Sequence, residues 1–592
     1  MTDKLSYIHN GLQAMSVAFL IFLTLQTVGA RWTEADLTLA LSFPVLAGTG
    51  IVAVLLYRNK VRITITDAVL TVWMLYYVGR VYAGGEYSCA TVFLKTVSVY
   101  LLYVFLRVVF SHSCISAWWI KAGLVFFGCY EGLLGISQMI NGTSRHHLYL
   151  LTGTFQNPGP YSACLMMAFV ICAFTLSVCS GEEIRWRKPP FFPEMFSGIG
   201  KYVRLEYVLT VAMLPIVIVL PATWSRAAFV SIAVVMLLAL RRYYWKYRYA
   251  VWTSVAVMSA SLYFLKQGSA DGRLMIWHAS LVSWWSEVWL GVGTGGFCNA
   301  VAGGMADLHG DGMDLSGAGV TDYAYNILLK ILVEQGLVGL VLALMAGGSA
   351  LLVLRKSSTT LFYALLSLVV FSMFSYPFEL LPYRIVAVMI VAWSEARMGI
   401  KVSETGRISA VAILIVMALV SYQLSSVIRL RHEADKDYDM IRGLNDEAFV
   451  KDYYELLPLE SDNASFLFDF GKLLRSNARY NDSNAMLRRG ALCSADPMFH
   501  VLMGNNYRDM GHCNLAEQSY EKAFAIMPNR LYPLYQLMLM YRDNGNVEKA
   551  RSMAERVLAL KPKIESPATK EMKGIAKEIM HDKRGSRKSL IE

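Results

Sequence analysis

The sequence predicts an all-α protein, in which a polytopic membrane helix bundle of about 12–13 transmembrane helices precedes a C-terminal α-solenoid. Composition supports a membrane protein, because 55% of the 592 residues are apolar and only 17% are charged. The mean hydropathy of +0.42 is higher than a single soluble domain would show. Long apolar windows recur through residues 1–428, and a repeated helical pattern follows in the tail, residues 429–592.

Thirteen apolar windows are long enough to cross a bilayer, which takes about 20 helical residues. They are 11–29, 37–57, 64–82, 91–110, 116–140, 160–179, 206–222, 226–244, 249–265, 337–354, 359–375, 380–397 and 408–428. Lys and Arg gather in every second connection, which the positive-inside rule places in the cytoplasm. The other connections and the tail are therefore predicted on the outer face, although one miscounted window would move the tail. The weakest pair of windows is separated only by residues 223–225.

Residues 266–336 form the only long polar stretch within the first 428 residues. Unpaired backbone groups are not tolerated in hydrocarbon, so this stretch is predicted to lie at a membrane face. Its tryptophans at positions 277, 284, 285 and 289 are typical of an interfacial helix. The glycine run 291–296 fits G-x-G-x-x-G, but no strand precedes it. A tight turn is favoured there over a dinucleotide site, and an anion-binding turn stays open.

The tail carries a 34-residue repeat. Residues 497–530 place Gly504, Gly511, Ala516 and Pro528 at the spacing of a tetratricopeptide repeat, in which small residues let two helices touch. A second unit follows it, and a degenerate one precedes it. Because such arrays bind other chains on a concave surface, we predict that the tail recruits a protein partner.

The composition divides the chain into four predicted parts. They are the membrane domain 1–428 with its outer loop 266–336, a linker helix 429–462, the repeats 463–565, and a capping helix with a basic end 566–592. The net charge of +11 does not indicate nucleic-acid binding, because the basic residues are spread over loop ends. None of the nine Cys forms C-x-x-C. Adjacent His146 and His147 lack a third ligand at close spacing, so neither a metal nor a cofactor is predicted.

Two arginines on predicted outer loops are candidates for an anion site. Arg226 begins an apolar window and Arg273 lies in the polar stretch. A guanidinium group matches phosphate oxygens, and a diphosphate needs two or more cations to balance it. The alternative for each arginine is a side chain that snorkels to the interface.

Other polar residues lie close to the predicted helix starts. Asp322, beside Tyr323 and Tyr325, is the nearest carboxylate that could accept a proton from a hydroxyl. Asn326 and Glu334 share a helix face with Lys330, where a simple Lys330–Glu334 ion pair is the alternative. Asn157 precedes a helix, so capping is the alternative to ligand binding.

The order of these motifs resembles the O-antigen ligase superfamily, which includes lipopolysaccharide ligases, O-antigen polymerases and bacterial O-linked oligosaccharyltransferases. The resemblance covers about residues 140–400. Its motifs are G-T-F-x-N-P at 153–158, S-R-[AG]-A at 225–228, G-R-x-x-x-W at 272–277, G-x-G-x-x-x-F at 291–297 and Y-N-x-x-L-x-x-x-x-E-x-G-x-x-G at 325–339. It implies metal-independent transfer of a glycan from polyprenyl (undecaprenyl) diphosphate at the periplasmic face of the bacterial inner membrane. It also implies that Arg226 and Arg273 hold the diphosphate, and that Asn157, Asn326 and Glu334 make other substrate contacts.

One position departs from the pattern of the superfamily. Tyr323-Ala324-Tyr325-Asn326 stands where the ligases carry His before Asn. A tyrosine with its ordinary pKa of about 10 is a poor base. Asp322 or His309 could replace the histidine, with Tyr325 as a further catalytic candidate, or the reaction could depend mainly on the leaving group.

The resemblance leaves the acceptor open. Lipid A-core is the favoured acceptor, with membrane lipids as surroundings, and the tail would recruit a protein or another envelope component. Transfer to protein hydroxyls and glycan polymerisation are the alternatives within the same enzyme class. A non-catalytic envelope scaffold or a transporter would be a different class, but a transporter is expected to show charged mid-span residues and paired repeats.

Overall fold

The computed structural model describes the chain between residues 31 and 581 with gaps. The residues outside the description are 1–30, 58–60, 84–88, 112–115, 145, 147–148, 180–204, 241–245, 247, 250–252, 254–266, 316, 318, 320–321, 445, 563–564 and 582–592. The predicted span 11–29, nearly all of the predicted span 249–265, and His147 lie outside the described residues.

Helices dominate the described residues, which confirms the all-α class. Up to the start of the tail they are α1 (Glu34–Tyr57), α2 (Ile65–Ala83), α3 (Ala90–Ser111), α4 (Ala117–Asn141), α5 (Pro158–Cys179), α6 (Leu205–Ala222), α7 (Arg226–Ala239), α8 (Gln267–Ser286), α9 (Phe297–Gly310), α10 (Ile327–Ser357), α11 (Thr359–Phe371), α12 (Leu381–Met398) and α13 (Arg407–Ile441). A 3-10 turn, Pro377–Glu379, joins α11 to α12. Strands β1 (Val61–Thr64) and β2 (Lys401–Thr405) pair antiparallel.

Several of these helices are suited to a membrane. Within the described residues, α1, α3, α4, α5, α10 and α13 are long and apolar enough to cross a bilayer. Helices α6, α7 and α11 are apolar but shorter. The multi-pass bundle is thereby confirmed, whereas the number of 12–13 spans stays a prediction.

The connections between helices gather at two opposite ends of the bundle. At one end, β1 and β2 join two connections that were both predicted to be cytoplasmic. At the other end, the N–H of Cys89 donates to the carbonyl of Thr294 at 3.1 Å, which joins two connections that were both predicted to be external. The structure therefore agrees with the predicted grouping of loops. Which end faces the periplasm stays a prediction.

The tail begins inside a helix, because α13 continues without interruption past residue 428 to Ile441. The helices that follow are α14 (Val450–Glu460), α15 (Ala464–Ser476), α16 (Tyr480–Cys493), α17 (Met498–Asp509), α18 (Cys513–Ile526), α19 (Leu531–Asp543), α20 (Val547–Ala559) and α21 (Pro567–His581), with a 3-10 turn at Glu447–Phe449. Consecutive helices α15 to α20 pack together in pairs. Ala516 and Tyr520 are fully buried between helices, as the repeat pattern requires. The assignment as tetratricopeptide repeats stays a prediction.

The tail is docked onto the end of the bundle that carries the predicted external loops. Asp462 accepts a hydrogen bond from the N–H of Thr91 at 2.7 Å and pairs with Arg431 at 3.0 Å. Arg31 also pairs with Asp462. These contacts lie between α3, α13 and the loop before α15, so they hold the tail to the bundle on the side where residues 266–336 lie.

Candidate functional site

The two candidate arginines are neighbours in the structure. Arg226 is the first residue of α7, which Ser225 caps by accepting the N–H of Ala228 at 3.4 Å. The guanidinium of Arg226 donates to Ser269 Oγ at 3.2 Å, and Ser269 lies one turn before Arg273 on α8. Burial and the positive charge of Arg226 lower the pKa of Arg273. Two guanidinium groups from different helices therefore converge, and in the described residues no carboxylate pairs with Arg273.

Helix α8 exposes an apolar face, but Trp277 and Trp284 of the predicted interfacial tryptophans pack inward against α9. Leu274, Leu281 and Trp285 are spaced by seven and four residues and are all exposed. The Trp285 side chain is 74% exposed, which is unusual for an apolar side chain of this size on a surface that faces water. The polar side of the same helix carries Ser269 and Arg273, so the arginine pair lies beside an apolar surface.

A tyrosine cluster lies directly under Arg273. The guanidinium carbon of Arg273 is 5.0 Å from the centre of the Tyr325 ring, which is cation–π distance. Tyr325 has a φ of 52°, in the left-handed region that residues other than glycine rarely adopt. The Trp277 indole N–H donates to the Ala324 carbonyl at 3.0 Å and holds this segment against α8. Burial raises the pKa of Tyr323 to about 12, so the phenol remains neutral.

Both candidate asparagines cap helices. Asn326 Oδ1 accepts the N–H of Leu328 at 3.0 Å and starts α10. Asn157 Oδ1 accepts the N–H of Gly159 at 2.8 Å and starts α5. A Cβ on Gly159 would lie 3.4 Å from Ser375 Oγ, so the Asn157 cap is close to the loop after α11. The two caps thus place two helix N-termini near one another.

A cleft opens beside Asn326, and a charged cluster forms part of its wall. Its lining includes Tyr325, Asn326, Lys330, Tyr376 and Glu379. Lys330 Nζ lies 2.7 Å from Glu379 Oε1 but 4.0 Å from Glu334 Oε1, so the expected Lys330–Glu334 pair is the weaker contact. Burial opposes ionisation of Glu379, but the charges of Lys330 and Arg384 lower its pKa.

Sequence reasoning missed three residues of this cluster, Tyr376, Glu379 and Arg384. Arg384 lies 3.6 Å from Glu379. A signal for them was present in the sequence. Glu379 ends the short connection SYPFE between two apolar windows, and Arg384 follows it by five residues inside the second window, where a charged side chain is unusual. Their partner Lys330 lies on another helix, and its proximity could not be read from spacing.

The glycine run joins a break in α10. At Gly336, with φ 64° and ψ −167°, the helix is interrupted. Val292 and Gly293 donate their N–H groups to the carbonyls of Val333 and Glu334 at 2.9 and 3.0 Å. The favoured turn is thereby part of a structural clasp. The anion-binding alternative loses these two N–H groups, because they already have acceptors.

The G-T-F element before α5 is fastened by two buried side chains of α4. Gln138 Oε1 accepts the N–H groups of Thr152 and Gly153 at 3.0 and 2.9 Å. The fully buried Glu131 accepts the N–H of Thr154 at 3.0 Å and its hydroxyl at 2.5 Å. A hydrogen bond between Ser162 and the Ser225 cap, 2.7 Å long, connects α5 to the start of α7. Glu131 and Gln138 were also missed, because each stands alone in an apolar window.

The two proton-acceptor candidates have different surroundings. Asp322 lies just before the tyrosine segment, where partial burial and the negative charge of Asp496 in the tail raise its pKa. The His309 ring packs edge-on against Phe524 of the tail, with ring centres 5.4 Å apart. Burial and the charge of Arg556 lower the pKa of His309. The structure therefore places Asp322 with the tyrosines and His309 at the contact between α9 and the tail.

Comparison with known proteins adds one finding. Residues 202–344 match the family model described as O-antigen ligase. The matched segment contains Arg226, Arg273, the glycine run and Glu334, and it ends before Tyr376. No curated protein matches the chain. The match supports the O-antigen ligase superfamily and, at the level of the family, membrane glycan transfer.

Proposed function

We propose that this chain is a membrane glycosyltransferase that moves a glycan from a polyprenyl (undecaprenyl) diphosphate carrier to an acceptor hydroxyl, as O-antigen ligases do. The observation that carries the proposal is the convergence of Arg226 and Arg273 beside the cleft, within the segment that matches the family model. Two like charges held close together repel each other. A diphosphate would neutralise both and accept bidentate hydrogen bonds.

The proposed reaction is a displacement at the sugar carbon that is bonded to the diphosphate. The acceptor oxygen forms a bond to this carbon while the bond to the phosphate oxygen breaks, and the leaving diphosphate takes the electron pair. Arg226 and Arg273 stabilise the charge that develops on the leaving group. Asp322 accepts the proton of the acceptor hydroxyl, and its raised pKa suits a general base better than an ordinary aspartate.

The remaining candidates act on the geometry of the cleft in this proposal. Asn157 and Asn326 orient two helix N-termini, whose positive ends favour a bound anion. Glu334 helps to hold Lys330, which lines the cleft. Tyr325 supports Arg273 from below. We place the site on the periplasmic face of the bacterial inner membrane, with the tail on the same side and α8 along the headgroups.

The test is to replace each arginine with alanine and measure glycan transfer in membrane vesicles that contain the purified protein. Each charged hydrogen-bond pair that is lost should lower transfer about 10- to 100-fold. Arg429→Ala is the matched control, because Arg429 is 65% exposed on α13 and should leave transfer unchanged. Full activity in both Arg226→Ala and Arg273→Ala would remove the diphosphate site.

One observation favours a protein acceptor as the second candidate function. Ala302 of α9 packs with Ala495 and Ile526 of the tail, so the tail borders the loop that carries Arg273. A polypeptide held by the tail would therefore reach the site. Deletion of residues 442–592 should spare transfer to lipid A-core and abolish transfer to protein. Equal loss of both would leave the recruitment role without support.

A further inference from the structure

Tyrosines from two separate segments meet at the cleft. They are Tyr323 and Tyr325 from the segment before α10, and Tyr376 from the loop after α11. The rings of Tyr323 and Tyr376 stack with centres 3.9 Å apart, and Tyr325 stands edge-on to Tyr376 at 5.7 Å.

Two of these hydroxyl groups are available to a ligand. Among the described residues, the hydroxyls of Tyr325 and Tyr376 have no hydrogen-bond partner, and both side chains are half-buried. Tyrosines elsewhere in the bundle differ, since Tyr103 donates to Asp67 at 2.5 Å and Tyr161 donates to the Glu131 carbonyl at 2.8 Å. Two half-buried phenols that line one cleft with open hydroxyl groups indicate a polar ligand.

The position of the cluster narrows the chemistry of that ligand. Tyr325 and Tyr376 line the cleft, and Arg273 lies over Tyr325 at 5.0 Å. A sugar ring offers hydroxyl groups to phenols and C–H groups to aromatic rings, so it matches a wall of tyrosines. A diphosphate on Arg273 is bonded to the sugar on one side and to the polyprenyl chain on the other, and of these two groups only the sugar carries hydroxyl groups that can pair with phenols.

We infer that Tyr325 and Tyr376 form a subsite for the first sugar of the donor, the one bonded to the diphosphate. The inference rests on the proposed function and deepens it, because it assigns the residues that distinguish a glycosylated carrier from a bare one. Tyr323 positions Tyr376 through the stack and does not bind the sugar itself.

Binding of two probes to the purified full chain in nanodiscs tests the inference. The probes are undecaprenyl diphosphate without a sugar, and undecaprenyl diphosphate that carries a single N-acetylglucosamine. Tyr325→Phe and Tyr376→Phe each keep the ring and remove one hydroxyl. Each should weaken binding of the sugar-bearing probe about fivefold, as expected for one hydrogen bond, and leave the bare probe unchanged.

Two controls keep the result interpretable. Tyr422→Phe, on an exposed position of α13, should affect neither probe, and unchanged thermal melting shows that the variants fold. Arg226→Ala should weaken both probes, which tests the diphosphate site separately. Equal binding of both probes by the unmodified protein, or equal effects of the tyrosine variants on both, would overturn the sugar subsite. Failure to bind either probe would instead overturn the proposed function.

Discussion

Replacing Glu379 with glutamine should destabilise the protein strongly, because the carboxylate lies between two cations. Its oxygens are 2.7 Å from Lys330 and 3.6 Å from Arg384, and the side chains of Glu379 and Lys330 are only 16% and 15% exposed. Breaking a buried pair by removing one partner costs about 3–5 kcal/mol. Lys330 keeps Glu334 at 4.0 Å, so we expect the lower end, about 3 kcal/mol.

A double-mutant cycle measures this interaction directly. The free energy of unfolding of the purified full chain can be followed by titrating mixed micelles with SDS. Lys330→Met combined with Glu379→Gln should cost at least about 1 kcal/mol less than the sum of the single variants, since neither member of the Lys330–Glu379 pair is then left behind as a charge without the other. Glu404→Gln is the control, because its pair with Lys401 is half exposed and should be worth less than about 1 kcal/mol. Additive single effects, or a loss under 1 kcal/mol for Glu379→Gln, would refute the reasoning.

Three further predictions concern the clasp, the tail and the proton acceptor. Gly336→Ala should lower the free energy of unfolding by about 3 kcal/mol or more, because the φ and ψ of Gly336 exclude other residues and a Cβ would collide with the carbonyl of Trp289. An unfolding midpoint equal to that of the unmodified protein would contradict this. Ala478→Gly should stabilise the tail by about 1 kcal/mol, because φ is 57° there; a lower thermal midpoint would argue against it. The rate of transfer should fall as pH drops through the pKa of Asp322, which burial and Asp496 raise above its ordinary value. Asp322→Asn should lower this rate about 100-fold and remove its fall at low pH. An unchanged pH profile would exclude Asp322 as the base.

The arginine pair shows how far sequence reasoning reached. Arg226 and Arg273 were identified because guanidinium groups on predicted outer loops match phosphate oxygens, and the alternation of basic loops predicted both on one face. That argument predicted a shared side of the membrane and an anionic ligand. It did not supply the distance, which depends on how α7 and α8 pack through Ser269.

His309 and Tyr376 show where the same reasoning ended. His309 looked available because a histidine in a polar loop titrates near neutral pH, but the tail covers its ring through Phe524. Tyr376 was not singled out from the sequence, but it stacks on Tyr323, 53 residues away in the chain. Contacts across such separations leave no local pattern.

The amino-acid sequence by itself determined the membrane bundle, the helical tail, the grouping of loops and the arginine motifs. Each of these follows from hydropathy, charge or spacing within a short window, which act on every chain in the same way. Only the tertiary structure decided that Glu379 holds Lys330, that the glycine run closes the break in α10, and that tyrosines from two segments share one cleft. These depend on packing between distant segments, where a shift of a few ångströms makes or breaks a hydrogen bond.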